Sequence, residues 1–256
     1  MNAAPVRLHL VQLAGGKGLR AGGQVPKQFR RTARGLLLGV SLREFLKLPA
    51  ETAEIVSITV TAAAERAEIL TEVFAELRAA GLGAEGAEGS EGSEGSERII
   101  RAEPGRSRTE STWHALCRIA EKQNPQPEDL VAVHDAARPL ATVDLLARLV
   151  AAARRQGAAV PGIAVPDTIV QQDPGAATVR YLPRETLLAV QTPQVFRWDL
   201  LHAAHAWAAA AGVTFTDDGG LVAHRGDDPA IVPGEEGNFK VTTDADWQRA
   251  NAFLSR

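Results

Sequence analysis

Val6-Arg7-Leu8-His9-Leu10-Val11-Gln12-Leu13 runs straight into Ala14-Gly15-Gly16-Lys17-Gly18-Leu19-Arg20-Ala21-Gly22-Gly23. The first stretch is an apolar run of strand length. The second is too rich in glycine to continue it. A strand that ends in a glycine loop reads as the opening of a βαβ unit. Further strand-like runs follow at Glu54–Val60, Arg98–Arg101, Asp129–Val133 and Ala158–Val165. Between them, segments at about 39–48, 63–80, 107–123 and 142–156 carry apolar residues three and four apart, the spacing of a helix with one buried face. Strands alternating with helices predict an α/β fold built on a mainly parallel sheet. In such sheets ligands bind beyond the carboxyl ends of the strands.

Two segments break the rhythm. Residues 81–97, GLGAEGAEGSEGSEGSE, offer a single leucine to a core, so a disordered Gly/Glu/Ser insert is expected there. Residues 167–191 hold the turn Asp173-Pro174-Gly175 between Thr168-Ile169-Val170 and Thr178-Val179-Arg180-Tyr181-Leu182, which predicts a protruding β-hairpin. Its exposed edges need a cover, and a partner subunit is one candidate. Asp244–Leu254 predicts a packing helix.

Composition narrows the function. The 256 residues form one expected domain, 1–256, with Lys+Arg 28 against Asp+Glu 31, a net charge of −3. That balance lacks the basic field of nucleic-acid binders. A single cysteine, Cys117, excludes a disulfide within the chain and a multi-cysteine zinc site. Met1–Arg7 lacks the basic start and apolar core of a secretory signal. No apolar run is long enough to span a bilayer. A cytoplasmic protein without nucleic-acid or membrane partners is the expectation.

Four motifs carry chemistry. The glycine loop, with Pro26-Lys27-Gln28-Phe29 behind it, supplies backbone N–H groups and two cations, Arg20 and Lys27, suited to a polyphosphate. It matches neither GxxxxGK[ST] nor a full GxGxxG. In Val133-His134-Asp135-Ala136-Ala137-Arg138-Pro139 an aspartate ends a buried strand with an arginine three residues on. That suits a metal–phosphate site or an ordinary ion pair. Gly105-Arg106-Ser107-Arg108-Thr109-Glu110-Ser111 leads into a helix, as caps or as nucleotide contacts. The fourth set is Arg184, Gln191-Thr192-Pro193-Gln194, Thr216-Asp217-Asp218 and Asn238-Phe239-Lys240-Val241-Thr242. Its arginine and lysine can hold a second phosphate, while its Thr-Asp-Asp can equally cap a helix.

Taken in order, these pieces resemble the 2-C-methyl-D-erythritol 4-phosphate cytidylyltransferase family. The HDAARP and PKQ blocks are the specific ones. The resemblance implies a Rossmann-like nucleotidyltransferase domain with a β-arm at 167–191, and a homodimer in which Arg184 serves the neighbour's site. It implies transfer of CMP from CTP to the polyol phosphate, with Mg²⁺ and release of pyrophosphate. Position by position, Arg20 and Lys27 match transition-state stabilisers, and Arg184 and Lys240 match the pair that positions the acceptor phosphate. Ala14, Gly15, Gly16, Gly18, Lys27, Gly105, Arg106, Ser111, Asp135 and Ala136 match the CTP contacts. Asp135, Arg138, Thr168, Thr192 and Thr216, with Arg184 and Lys240, match the acceptor contacts, and Asp135 is the expected metal ligand beside the CTP phosphates. The chain departs from the family at Ala21 in place of Met. Pro104 and Arg106 stand where a glycine and an acidic residue are usual, and Gly219-Gly220 where small helix formers are. The 81–97 insert is not a family feature. Rival expectations are a cytidylyltransferase for another polyol phosphate, such as ribitol 5-phosphate, and a catalytically silent nucleotide-binding module. A nicotinamide-dependent oxidoreductase would need an acid at the end of the second strand, where Thr59-Val60-Thr61 stands.

Overall fold

The computed structural model describes residues 5–16, 26–80 and 98–255. Gly18, Arg20 and the 81–97 insert lie outside the described residues. In chain order the strands are β1 (Arg7–Leu13), β2 (Arg31–Thr32), β3 (Gly35–Leu36), β4 (Glu54–Thr61), β5 (Ile99–Ala102), β6 (Leu130–Asp135), β7 (Ala158–Ala164), β8 (Val170–Gln171), β9 (Arg180–Tyr181), β10 (Leu188–Val190), β11 (Gln194–Arg197) and β12 (Ala230–Pro233). The helices are α1 (Leu37–Phe45), α2 (Ala67–Ala79), α3 (Arg108–Gln123), α4 (Val143–Gln156), α5 (Trp198–Ala211), α6 (Asp218–His224) and α7 (Asp244–Leu254).

The central sheet runs β10-β7-β11-β6-β1-β4-β5, with β12 on the other side of β7. The pairs β5·β4, β4·β1, β1·β6 and β7·β12 are parallel. The exceptions come from one segment. β10 and β11 follow each other antiparallel along one side of β7, and β11 also pairs β6. The parallel α/β expectation therefore holds, with one reversed strand wedged between β6 and β7. Of the described residues, no helix is long and apolar enough to cross a membrane.

The strand period of two divides the core. Leu8 and Leu10 of β1, with Leu130 and Ala132 of β6, pack under α1, α2 and α4. Val11, Val131 and Val133 pack on the opposite face against α3, α5 and α6. Three helices, α3, α4 and α6, start on a side-chain cap. Ser107 accepts from Glu110 N, Thr142 from Leu145 N and Asp217 from Gly220 N. Thr243 and Asp246 form a reciprocal capping box on α7.

The segment 167–191 divides in two. β8 and β9 form the expected hairpin around Asp173–Gly175, paired Val170↔Tyr181 and Gln171↔Arg180. Its C-terminal end is shorter than the sequence suggests, because Leu188–Val190 returns to the central sheet beside β7.

Two strand histidines are buried whole, His9 and His134. Burial holds both below the usual imidazole value, His134 down to about 4. In the unfolded chain they take up protons near pH 6.5. The unfolded state thus binds more protons below that pH, and stability falls as pH drops from about 6.5 toward 4. For His134 the expected slope reaches about 1.4 kcal/mol per pH unit, and His9 adds to it in the same direction. Urea unfolding at pH 7.5, 6 and 5 tests this, and a flat profile would contradict it.

Candidate active site

Beyond the carboxyl ends of β1, β5 and β6 lies a cleft of about 1030 Å³. Its walls include Gly15, Gly16, Lys27, Gly105, Arg108 and Asp135, and Lys240 closes one side.

The glycine turn is held rather than loose. Gln28 is buried and donates Nε2 to the carbonyls of Ala14 (2.8 Å) and Gly16 (2.7 Å). Ala14 N–H in turn donates to Thr61 O at 3.1 Å. The middle residue of PKQ is thus left to line the cleft while its neighbour clamps the loop. Gly15 has to be glycine here. A Cβ on it would lie 2.3 Å from Pro104 Cβ, so the departure at Pro104 packs directly on the turn. Gly15→Ala is expected to cost about 1–3 kcal/mol of stability through this overlap. Chemical denaturation of the variant measures it, and an unchanged midpoint would show that the turn can shift.

Asp135 ends β6 and is the centre of the charge pattern. Its Oδ2 accepts from Lys240 Nζ at 2.6 Å, and its Oδ1 faces Arg108 Nε at 3.4 Å. Burial alone would raise its pKa; Arg108 and Lys240 outweigh that and hold it below the usual carboxylate value. Arg108 opens α3 and also donates Nη1 to Asp218 Oδ2 at 2.6 Å. Asp218 opens α6, is buried, and accepts from His205 Nε2 at 3.0 Å. Burial disfavours the Asp218 anion as well, but Arg108 and His205 hold its pKa far down. The two carboxylates similarly raise the Arg108 value against the effect of burial.

Lys240 is aimed by its backbone. Val241 N–H donates to Ala137 O at 2.8 Å, and Arg138 Nη1 donates to Asn238 O at 2.7 Å. Asn238 is buried and donates Nδ2 to Thr192 O at 2.8 Å. The loop before α7 is therefore bolted to the segment that follows β6.

Several residues of the expected site also hold the framework together. The Ser111 hydroxyl accepts from Gly105 N (2.9 Å) and donates to Ser107 O (2.8 Å), fixing the turn that lines the cleft. The Thr192 hydroxyl accepts from Asp135 N at 3.0 Å. His134 Nε2 lies 2.9 Å from Arg138 O and so carries the proton, which makes Nδ1 the acceptor of Thr192 Oγ1 at 3.1 Å. Thr192 thus orients His134 and Asp135 from behind. The Arg106 side chain is 95% exposed and pairs with Glu110, and the residue lines the cleft. Ala136 is buried at the cleft wall. Thr216 is exposed, just before the cap of α6.

Thr168 and Arg184 sit on the arm, exposed. Arg184 Nη1 donates to Pro166 O at 2.8 Å, and neither residue lines this cleft. Two residues outside the expected site set belong to the charge pattern, Arg108 and Asp218. The departure at Gly219 is explained by packing: a Cβ there would lie 2.7 Å from Val160 Cγ1.

Among the described residues no group of three His, Cys, Asp or Glu side chains is placed to hold a metal ion. Asp135 in the cleft suits a hard cation that takes its remaining ligands from phosphates and water.

The model of the family 2-C-methyl-D-erythritol 4-phosphate cytidylyltransferase matches residues 8–256. The chain is 34% identical over 255 residues to the "Bifunctional enzyme IspD/IspF" of Rhodopseudomonas palustris (strain HaA2), covering 98% of this chain and 56% of that protein. It therefore spans about half the length of such bifunctional relatives. It is 37% identical to the 2-C-methyl-D-erythritol 4-phosphate cytidylyltransferase of Salinibacter ruber, covering 95% of this chain and 91% of that one. The crystal structure of 2-C-methyl-D-erythritol 4-phosphate cytidylyltransferase from Thermus thermophilus superposes with a TM-score of 0.67 at 31% identity, over 98% of this chain and 100% of that one.

Proposed function

The chain belongs to the 2-C-methyl-D-erythritol 4-phosphate cytidylyltransferase family, and from that premise we propose that it transfers CMP from CTP to 2-C-methyl-D-erythritol 4-phosphate. The products are 4-CDP-2-C-methyl-D-erythritol and pyrophosphate. The observation that carries this reading is the Lys240–Asp135–Arg108 arrangement, set across one cleft from the glycine turn and Lys27.

A phosphate oxygen of the acceptor attacks the α-phosphorus of CTP. The new O–P bond forms as the bond to the β-phosphate oxygen breaks, and pyrophosphate leaves in line. A phosphate monoester is anionic near neutral pH, so no general base is needed. His134 accordingly has both nitrogens committed behind the cleft. Catalysis rests on positioning and charge. The backbone of residues 14–16 cradles the nucleotide phosphates, and Lys27, with Arg20, neutralises charge that grows at the α-phosphate. Lys240 leaves Asp135 to hold the acceptor phosphate. Mg²⁺ would be held by Asp135 and the CTP phosphates, and when bound it supplies charge neutralisation on the triphosphate.

Arg184 reaches the acceptor phosphate from a second copy of the chain. Val170, Val179, Tyr181, Leu188 and Val190 are exposed on the arm and its return strand, an apolar surface that a homodimer would cover. The working location is the cytoplasm.

Pyrophosphate release with Mg²⁺ tests the reading, using CTP, UTP, ATP and GTP against methylerythritol 4-phosphate and ribitol 5-phosphate. Release with CTP and methylerythritol phosphate is expected. Release with ribitol phosphate instead would reassign the acceptor, and silence with every pair would leave a nucleotide-binding module.

A further inference from the structure

Behind the cleft, charged and polar groups form an unbroken line from inside the α5–α6 layer to the cleft mouth: His205, Asp218, Arg108, Asp135, Lys240. The links measure 3.0, 2.6, 3.4 and 2.6 Å. His205 and Asp218 are buried. Neither lines the cleft.

The division of Asp218 is the informative feature. Its Oδ1 accepts from His205 and its Oδ2 accepts from Arg108. A carboxylate with both oxygens available takes a guanidinium as a two-pronged pair. Here Arg108 meets Asp218 through Nη1 alone and keeps Nε for Asp135. Its Nη2 is buried and makes no hydrogen bond among the described residues.

We infer that His205 is a positioning residue: by occupying one oxygen of Asp218, it keeps Arg108 shared with Asp135. The consequence falls on the acceptor step, and so the inference rests on the function proposed above. Asp135 has two cations while Lys240 is at home. When Lys240 turns to the acceptor phosphate, Arg108 is the protein cation that stays on Asp135. If Asp218 drew the guanidinium to itself, Asp135 would hold Lys240 back. Acceptor binding would then suffer, while CTP binding, which leaves Lys240 in place, would not.

The test compares His205→Leu with His205→Gln by pyrophosphate release, titrating CTP and methylerythritol 4-phosphate separately. In His205→Leu the acceptor KM is expected to rise about tenfold, with a few-fold loss of kcat and a CTP KM within about twofold of the parent. Glutamine can still donate to Asp218 and is expected to restore the acceptor KM. His205→Asn is too short to reach Asp218 and carries the same expectation as leucine, should the leucine variant not fold. A purely structural role would lower the melting temperature and the active fraction without separating the two KM values. An unchanged acceptor KM in an active, folded variant overturns the inference alone. So does an equal rise in both KM values that glutamine does not repair. A parent chain with no CTP-dependent release would overturn the function proposed above, and this inference with it.

Discussion

Lys27→Ala is expected to lower kcat about 10²–10³-fold, roughly 3–4 kcal/mol of transition-state stabilisation, with the protein still folded. The fold should survive because backbone bonds and the Gln28 clamp hold the turn. Phe29 N–H donates to Pro26 O at 2.9 Å, and Arg30 N–H to Lys27 O at 3.0 Å, and alanine keeps both. Phe29 stays in the core, and Gln28 still clamps Ala14 and Gly16. What is lost is a positive charge on the cleft wall beside the glycine turn. Charge at the α-phosphate is greatest in the transition state, so the loss should fall on kcat more than on the CTP KM. Single-turnover release of pyrophosphate, with a melting curve as control, measures it. Near-normal turnover would remove Lys27 from the mechanism.

Much of the fold was legible because two periods alternate along the chain. The apolar runs at 54–60 and 129–133 became β4 and β6, each one or two residues longer at the end that carries the site. Asp244–Leu254 is α7 as expected. What was not legible has physical reasons. Trp198–Ala211 has alanine on every side and so lacks a clear apolar stripe, although it is a 14-residue helix. The return of Leu188–Val190 to β7 depends on a partner strand more than 20 residues away, which no local pattern records.

The site divides in the same manner. Sequence motifs marked where polar residues gather, and the cleft forms at those places. They did not show which polar groups also hold the framework. Gln28, Ser111, Thr192, Gln194 and Asn238 all lie in those motifs, and each spends its hydrogen bonds on the backbone or framework. Gln194, for example, holds the start of α6 through Asp217 and Gly219. In a sequence, a glutamine that fixes a loop looks the same as one that reads a substrate. Arg108 and Asp218 were each visible, in motifs that also read as helix caps. Their pairing spans 110 residues and exists only once α3 and α6 dock on the same face of the sheet.

Arg184 provides the largest test of assembly. In the proposed homodimer, Lys27→Ala and Arg184→Ala proteins should each be nearly inactive, because each site lacks one cation. Co-expressed, they should recover about a quarter of the parent activity. The arithmetic follows from an arm that serves its neighbour. In a mixed dimer, the cleft with intact Lys27 receives the intact Arg184 from the Lys27→Ala subunit. The other cleft lacks both. Half the sites of each mixed dimer are then complete, and random pairing makes about half of all dimers mixed. If each arm instead folded onto its own cleft, every site in the mixture would lack one cation, and no activity would return. The single chain favours the first arrangement: Arg184 is exposed on the arm, held to Pro166 O, and absent from the walls of its own cleft. Two affinity tags, purification of the mixed dimer and a pyrophosphate assay separate the cases. Recovery assigns the arm to the partner's site. Its absence from a dimer shown to be mixed assigns Arg184 to its own chain.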